Sequence, residues 1–128
     1  MKITHINPDT MHKNPAYSQG VSVEGASKTI YVGGQNGLTA EGKLVGEDLK
    51  SQSVQALKNV LEVLKTAGAT QENVVKLTMF FVQGSNIAEA FEASKEVWGM
   101  HATAITGVVV SGLAVPGALV EIEAIAAI

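Results

Sequence analysis

Two glutamates near the end of the chain carry the clearest chemical signal. Residue types alternate through Val120-Glu121-Ile122-Glu123-Ala124-Ile125-Ala126. Glu121 and Glu123 therefore fall on one face of a strand, about 7 Å apart by strand rise. Ile125 continues that face. Paired carboxylates on a partly apolar face suit general acid–base work, although a solvated strand face shows the same pattern.

Other constellations offer less. Gly33-Gly34-Gln35-Asn36-Gly37 lacks the Gly-Lys-Ser/Thr ending of a phosphate loop, and Asn36-Gly37 reads as a tight turn. His5, His12 and His101 are scattered, with Asp9 the nearest acid to the first two. No helical i, i+4 pair forms among them, so no metal site is expected. No Gly-x-Ser-x-Gly elbow starts a serine triad. Glu89, Glu92 and Glu96 make an acidic stripe that reads as a solvated helix face.

Composition removes whole classes of function. The chain has 128 residues, a net charge of −3 and no cysteine. Disulfides, thiolate metal sites and a cysteine nucleophile are excluded. All nine basic residues are lysines. Without arginine, no bidentate guanidinium fork exists here or in a neighbouring copy of the chain. The acidic balance gives no footprint for nucleic acid. No apolar core follows Lys2, so no signal peptide is read, and the expected compartment is the cytoplasm. The uncharged run from Ala102 to Val120 is broken by Gly107, Gly112, Pro116 and Gly117. It reads as two strands and a loop, not a membrane span. Charged residues are 16% and hydrophobic ones 46%. That much apolar surface is hard to bury in a small monomer, which points to an oligomer. The length allows one domain, 1–128.

These residues must be held by elements that the periodicity predicts. Segments 18–24 and 29–35 read as strands of a hairpin across Glu24–Lys28. A helix is expected over 47–67, with Glu47 and Asp48 in its first turn and Gly68 as its stop. A strand follows over 73–82. Val75, Leu77, Met79 and Phe81 are expected on one face; Lys76, Thr78 and Phe80 on the other. Asn86 and Glu89 have capping-box spacing ahead of a helix over 87–98. Strands near 102–111 and 118–127 close the chain. The order β-β-α-β-α-β-β suggests two helices on one face of a mixed sheet.

The ordered set of motifs resembles the RidA/YjgF family over nearly the whole chain. It comprises Pro15-Ala16-Tyr17-Ser18-Gln19-Gly20, Gly34-Gln35, the Ser51–Gly68 helix, the Val74–Val82 strand and Glu121-Ile122-Glu123-Ala124-Ile125-Ala126. The resemblance implies an α+β, chorismate-mutase-like fold, with three subunits joining sheets into a barrel-like core. It implies clefts between subunits that bind small carboxylate-bearing molecules. It also implies cofactor-free, metal-free hydrolysis of enamines and imines to keto acids and ammonia. Carried over residue by residue, Tyr17 is the cleft tyrosine and Glu123 the water-handling glutamate. Gly34 and Gln35 end a strand beside the pocket.

One departure limits the transfer. The family's substrate-gripping arginine falls at Ile105, in Ala104-Ile105-Thr106-Gly107, and a helpful carboxamide falls at Phe91. Losing an Arg–carboxylate fork costs about 2–5 kcal/mol of binding. Lys76, or the backbone N–H groups of Thr106 and Gly107, are the available substitutes. The expected activity is hydrolysis of a C–N bond in a substrate less acidic than an imino acid: an amide, lactam or neutral enamine. The competing expectation is a non-catalytic small-molecule binder or scaffold of the same fold. The family's older labels of RNA cleavage gain no support from an acidic, arginine-free chain.

Overall fold

A computed structural model describes residues 1–128. Its strands are β1 (Lys2–Ile6), β2 (Gly20–Glu24), β3 (Thr29–Gln35), β4 (Val74–Val82), β5 (Ala104–Val110) and β6 (Val120–Ala127). Its helices are α1 (Leu49–Thr66) and α2 (Ile87–Val97), with a single 3₁₀ turn at Gln71–Asn73. Four strands form one mixed sheet in the order β3-β6-β4-β5. Only β4 and β5 run parallel, as the α2 crossover between them requires. Both helices lie on one face, and α1 covers β6 and β3 and packs against α2. The fold class read from the sequence is the one observed.

The core explains the layering. Val120, Ile122, Ala124 and Ala126 of β6 are buried beneath Ala56, Leu57, Val60 and Leu64 of α1. Burial of this kind is the main stabilising term for such a two-layer domain. Asp48 caps α1 from outside, its carboxylate accepting from the Ser51 N–H at 2.8 Å. That bond holds the Asp48 carboxyl below the usual aspartate range. Gly68, at φ +87°, takes the left-handed position just past the helix end. The helix thus starts two residues later than expected, because an aspartate satisfies orphan N–H groups better as a cap than inside the first turn. Asn86 caps α2 through the Ala88 N–H. The reciprocal box forms instead at Thr70 and Asn73.

The hairpin expectation needs correction. β2 does not pair with β3. It pairs antiparallel with β1 in a separate two-stranded sheet, and β3 pairs with β6. β1 has five residues and, like β2, none that is fully buried, so their pairing rests on backbone hydrogen bonds that no apolar pattern announces. In β4 a bulge after Val74 puts Val74, not Val75, into the core. From Lys76 onward the expected alternation holds.

Candidate functional site

The N-terminal segment meets the sheet at β5. The Ser18 N–H donates to Thr103 O at 2.9 Å, and the Ser18 hydroxyl donates to Ala102 O at 2.6 Å. A turn at Asn14–Tyr17 precedes this anchor, with the Ala16 N–H donating to Asn14 Oδ1 at 2.9 Å. Asparagine followed by Pro15 favours such a turn. The result is that Tyr17 stands at the mouth of a cleft of about 330 Å³.

That cleft gathers four of the predicted residues: Tyr17, Phe91, Ile105 and Gly107. Met79 and Phe81 of β4, and Ile87 and Ala90 of α2, supply more of its wall. Asn14, Tyr17 and Ser94 are its polar side chains, and no charged side chain lines it. Phe91 is 60% exposed, so part of the wall is open. An apolar cleft with few polar groups is the ordinary form of a small-molecule site.

Glu123 lies elsewhere. With Lys76, Thr78, Tyr31 and Gly33 it lines a groove of about 250 Å³ on the sheet face opposite the helices. The register sets Thr78 opposite Glu123 and Lys76 opposite Ile125. Lys76 does not enter the apolar cleft. Its ammonium donates to Thr106 Oγ1 at 2.6 Å and to Leu77 O at 3.2 Å. Burial pushes the Lys76 pKa below the usual lysine value, and the nearby Glu123 charge opposes that shift. No direct ion pair joins the two.

Gly34 and Gln35 stand at the end of β3, where the register shifts and Gln35 pairs with Ile122. A Cβ at Gly34 would collide with the carboxylate of Glu121, 2.8 Å from its Cδ and 2.9 Å from its Cγ. Gly34 is therefore a notch that seats the half-buried Glu121 carboxylate. Glu121 belongs beside the strand end, a role that alternation alone did not single out.

His12, weighed in the sequence only as a metal ligand, stands beside Tyr17 instead. Its Nε2 lies 2.8 Å from the Tyr17 hydroxyl. As for metals, no three His, Asp or Glu side chains converge on one point. Glu92 and Glu96 lie within 4 Å of Lys50 on the surface, as a solvated helix face would. No helix is long and apolar enough to cross a membrane.

Comparison with known proteins adds to this geometry. The family model for Endoribonuclease L-PSP matches residues 9–128. A rat 2-iminobutanoate/2-iminopropanoate deaminase is 38% identical over 112 residues, 87% of this chain and 79% of its own. A RutC family protein of Pyrococcus abyssi is 34% identical over 111 residues, 86% of this chain and 84% of its own. Among solved structures, a Yersinia pestis protein of unknown function in the conserved Rid family superposes with a TM-score of 0.88. It is 35% identical and covers all of both chains. RidA from an Antarctic Psychrobacter gives 0.72 at 32% identity over 88% of each chain.

Proposed function

The chain belongs to the RidA/YjgF (Endoribonuclease L-PSP) family, and on that premise we propose that it is a cofactor-free hydrolase or deaminase of C–N bonds. Its substrates are enamines, imines or amides of low acidity, and it works as a homotrimer with clefts between subunits. The observation that carries this reading is the placement of the carboxylate pair of β6 on the open sheet face. Neither the Glu121 nor the Glu123 carboxylate accepts a hydrogen bond or forms an ion pair within the chain, although the backbones of both pair with β4. Relatives at up to 39% identity bear the name of imine deaminases.

In the proposed reaction, water attacks the imine carbon while a carboxylate accepts its proton. The nitrogen takes that proton and then, through the same carboxylate, the hydroxyl proton of the adduct as the C–N bond breaks, so ammonia leaves with both protons of the water and a carbonyl product remains. Glu123 handles the water in the assignment drawn from the resemblance. Glu121, seated in the Gly34 notch, is the companion carboxylate. Within one protomer, the apolar cleft of Tyr17 and Ile105 and the groove of Glu123 share no lining residue. Their union across a subunit boundary is what the trimer supplies in this proposal. Tyr31, 75% exposed on the open face, suits burial against a neighbour. Substrate preference follows from Ile105, since an apolar cleft disfavours taking an anion out of water.

The test is release of ammonia from an enamine generated in the assay, with wild type, Glu121→Gln and Glu123→Gln. Loss of acceleration in either variant supports the reading. A wild type no faster than buffer refutes it. One observation favours a second reading, a binder without turnover: the cleft is apolar and holds no cation. Tight binding of a neutral ligand without release of ammonia would establish it.

A further inference from the structure

The pair His12–Tyr17 at the mouth of the apolar cleft has a hydrogen-bond direction on which the neighbouring Gln19 amide bears. Gln19 Nε2 lies 3.1 Å from His12 O. A carbonyl only accepts, so the amide atom facing it is the nitrogen, and the side chain's orientation is set. The same Nε2 lies 3.4 Å from His12 Nε2. An amide nitrogen donates and does not accept, so a lone pair on His12 Nε2 suits this neighbour and an Nε2–H would oppose it. The ring then carries its proton on Nδ1. With Nε2 an acceptor, its single lone pair is taken by the closer Tyr17 O–H at 2.8 Å, and the Gln19 amide at 3.4 Å adds a favourable dipole and not a second full bond. The two ring planes stand 75° apart, with 6.3 Å between centroids.

With its only proton turned toward His12, the Tyr17 oxygen presents lone pairs to the cleft. Resting on the C–N hydrolase reading, we propose that His12 is a positioning residue that makes Tyr17 an acceptor, selecting substrates that offer an N–H. Imines, enamines and primary or secondary amides carry that group; esters and ketones do not. Ligand N–H recognition thus comes from a neutral hydrogen bond in a cleft without charged side chains. His12 acts through Tyr17 and touches no reacting atom.

Two measurements test this. The first is a long-range ¹H–¹⁵N correlation of the histidine rings at a pH where they are neutral, with His12 assigned by its loss in His12→Gln. The proposal expects the Nδ1–H tautomer at His12; an Nε2–H tautomer overturns it whether or not the protein has any activity. The second is the steady-state kinetics of the enamine generated in the assay. His12→Ala should raise KM about three- to tenfold with kcat within a factor of two, the usual worth of one neutral hydrogen bond. His12→Gln, whose amide oxygen can accept from Tyr17, should restore KM to within twofold. A His12→Ala protein with wild-type KM, in a preparation that turns over, overturns the proposal. A wild type without turnover defeats the catalytic reading, and the tautomer then decides the hydrogen-bond assignment alone.

Discussion

Replacing Gly34 by alanine adds one methyl group at the Glu121 notch. Its Cβ would lie 2.8 Å from Glu121 Cδ and 2.9 Å from Cγ, against an ordinary contact of 3.4–4 Å. The carboxylate must therefore retreat by roughly 1 Å. A shift of that size in a catalytic group typically costs about 100-fold in rate, or roughly 2.7 kcal/mol of barrier. The backbone is not strained by the change, because Gly34 is not among the glycines at positive φ. Alanine in a strand gains about 0.5–1 kcal/mol over glycine, which offsets part of the clash. Gly34→Ala should thus lose about 100-fold in kcat while its melting temperature moves by only a few degrees. Gly112→Ala is the control, since nothing lies within 4 Å of a Cβ there. The assay is ammonia release beside a thermal melt. A Gly34→Ala protein with wild-type kcat would refute the claim that this notch holds a working carboxylate.

Three further outcomes follow from the same geometry. Ile105→Arg should shift the preference from a neutral substrate toward its carboxylate counterpart by at least about 30-fold, the lower end of an Arg–carboxylate interaction; an unchanged ratio of kcat/KM values means that Ile105 does not face the substrate. Lys76 has a folded-state pKa below its ordinary value of 10.5, so the unfolded chain binds more protons between the two values and the lysine's penalty fades as pH rises through that window. In urea unfolding, the stability of wild type relative to Lys76→Met should therefore increase with alkaline pH, and a flat difference would reject the desolvation. Gln52 is fully buried, donating to Gly46 O and Gly117 O and accepting from the Leu119 N–H. Gln52→Leu strands those groups and should cost about 3 kcal/mol, a drop of roughly 10 °C in Tm; a smaller loss would mean that water replaces the amide.

Much of this molecule was legible before its structure. The 3.6-residue spacing of Leu57, Val60, Leu61 and Leu64 placed α1, and strict alternation in β6 put both glutamates on one face. Strand pairing was not legible. Segments 18–24 and 29–35 carry local hairpin signals, yet their partners are β1 and β6, contacts that no local pattern encodes. The site divided in the same way. Tyr17, Phe91 and Ile105 were named from the resemblance, Gly107 as a backbone donor, and the four line one cleft. Glu121 needed a glycine opposite it, and a glycine announces no contact of its own. His12 lies in a loop five residues before Tyr17, where no periodicity aligns two side chains. Lys76 was legible as a candidate cation, but only coordinates put its amine on Thr106 and beside Glu123 instead of in the cleft.

The most direct measurement times ammonia release from two enamines side by side, one from an amino acid and one from the matching amino amide. Glu121→Gln and Glu123→Gln serve as the inactive references. The account predicts acceleration of both reactions by wild type, with the neutral amide ahead, and its loss when the β6 carboxylates are removed. No acceleration of either enamine, or a preference for the acid in this arginine-free chain, would contradict it.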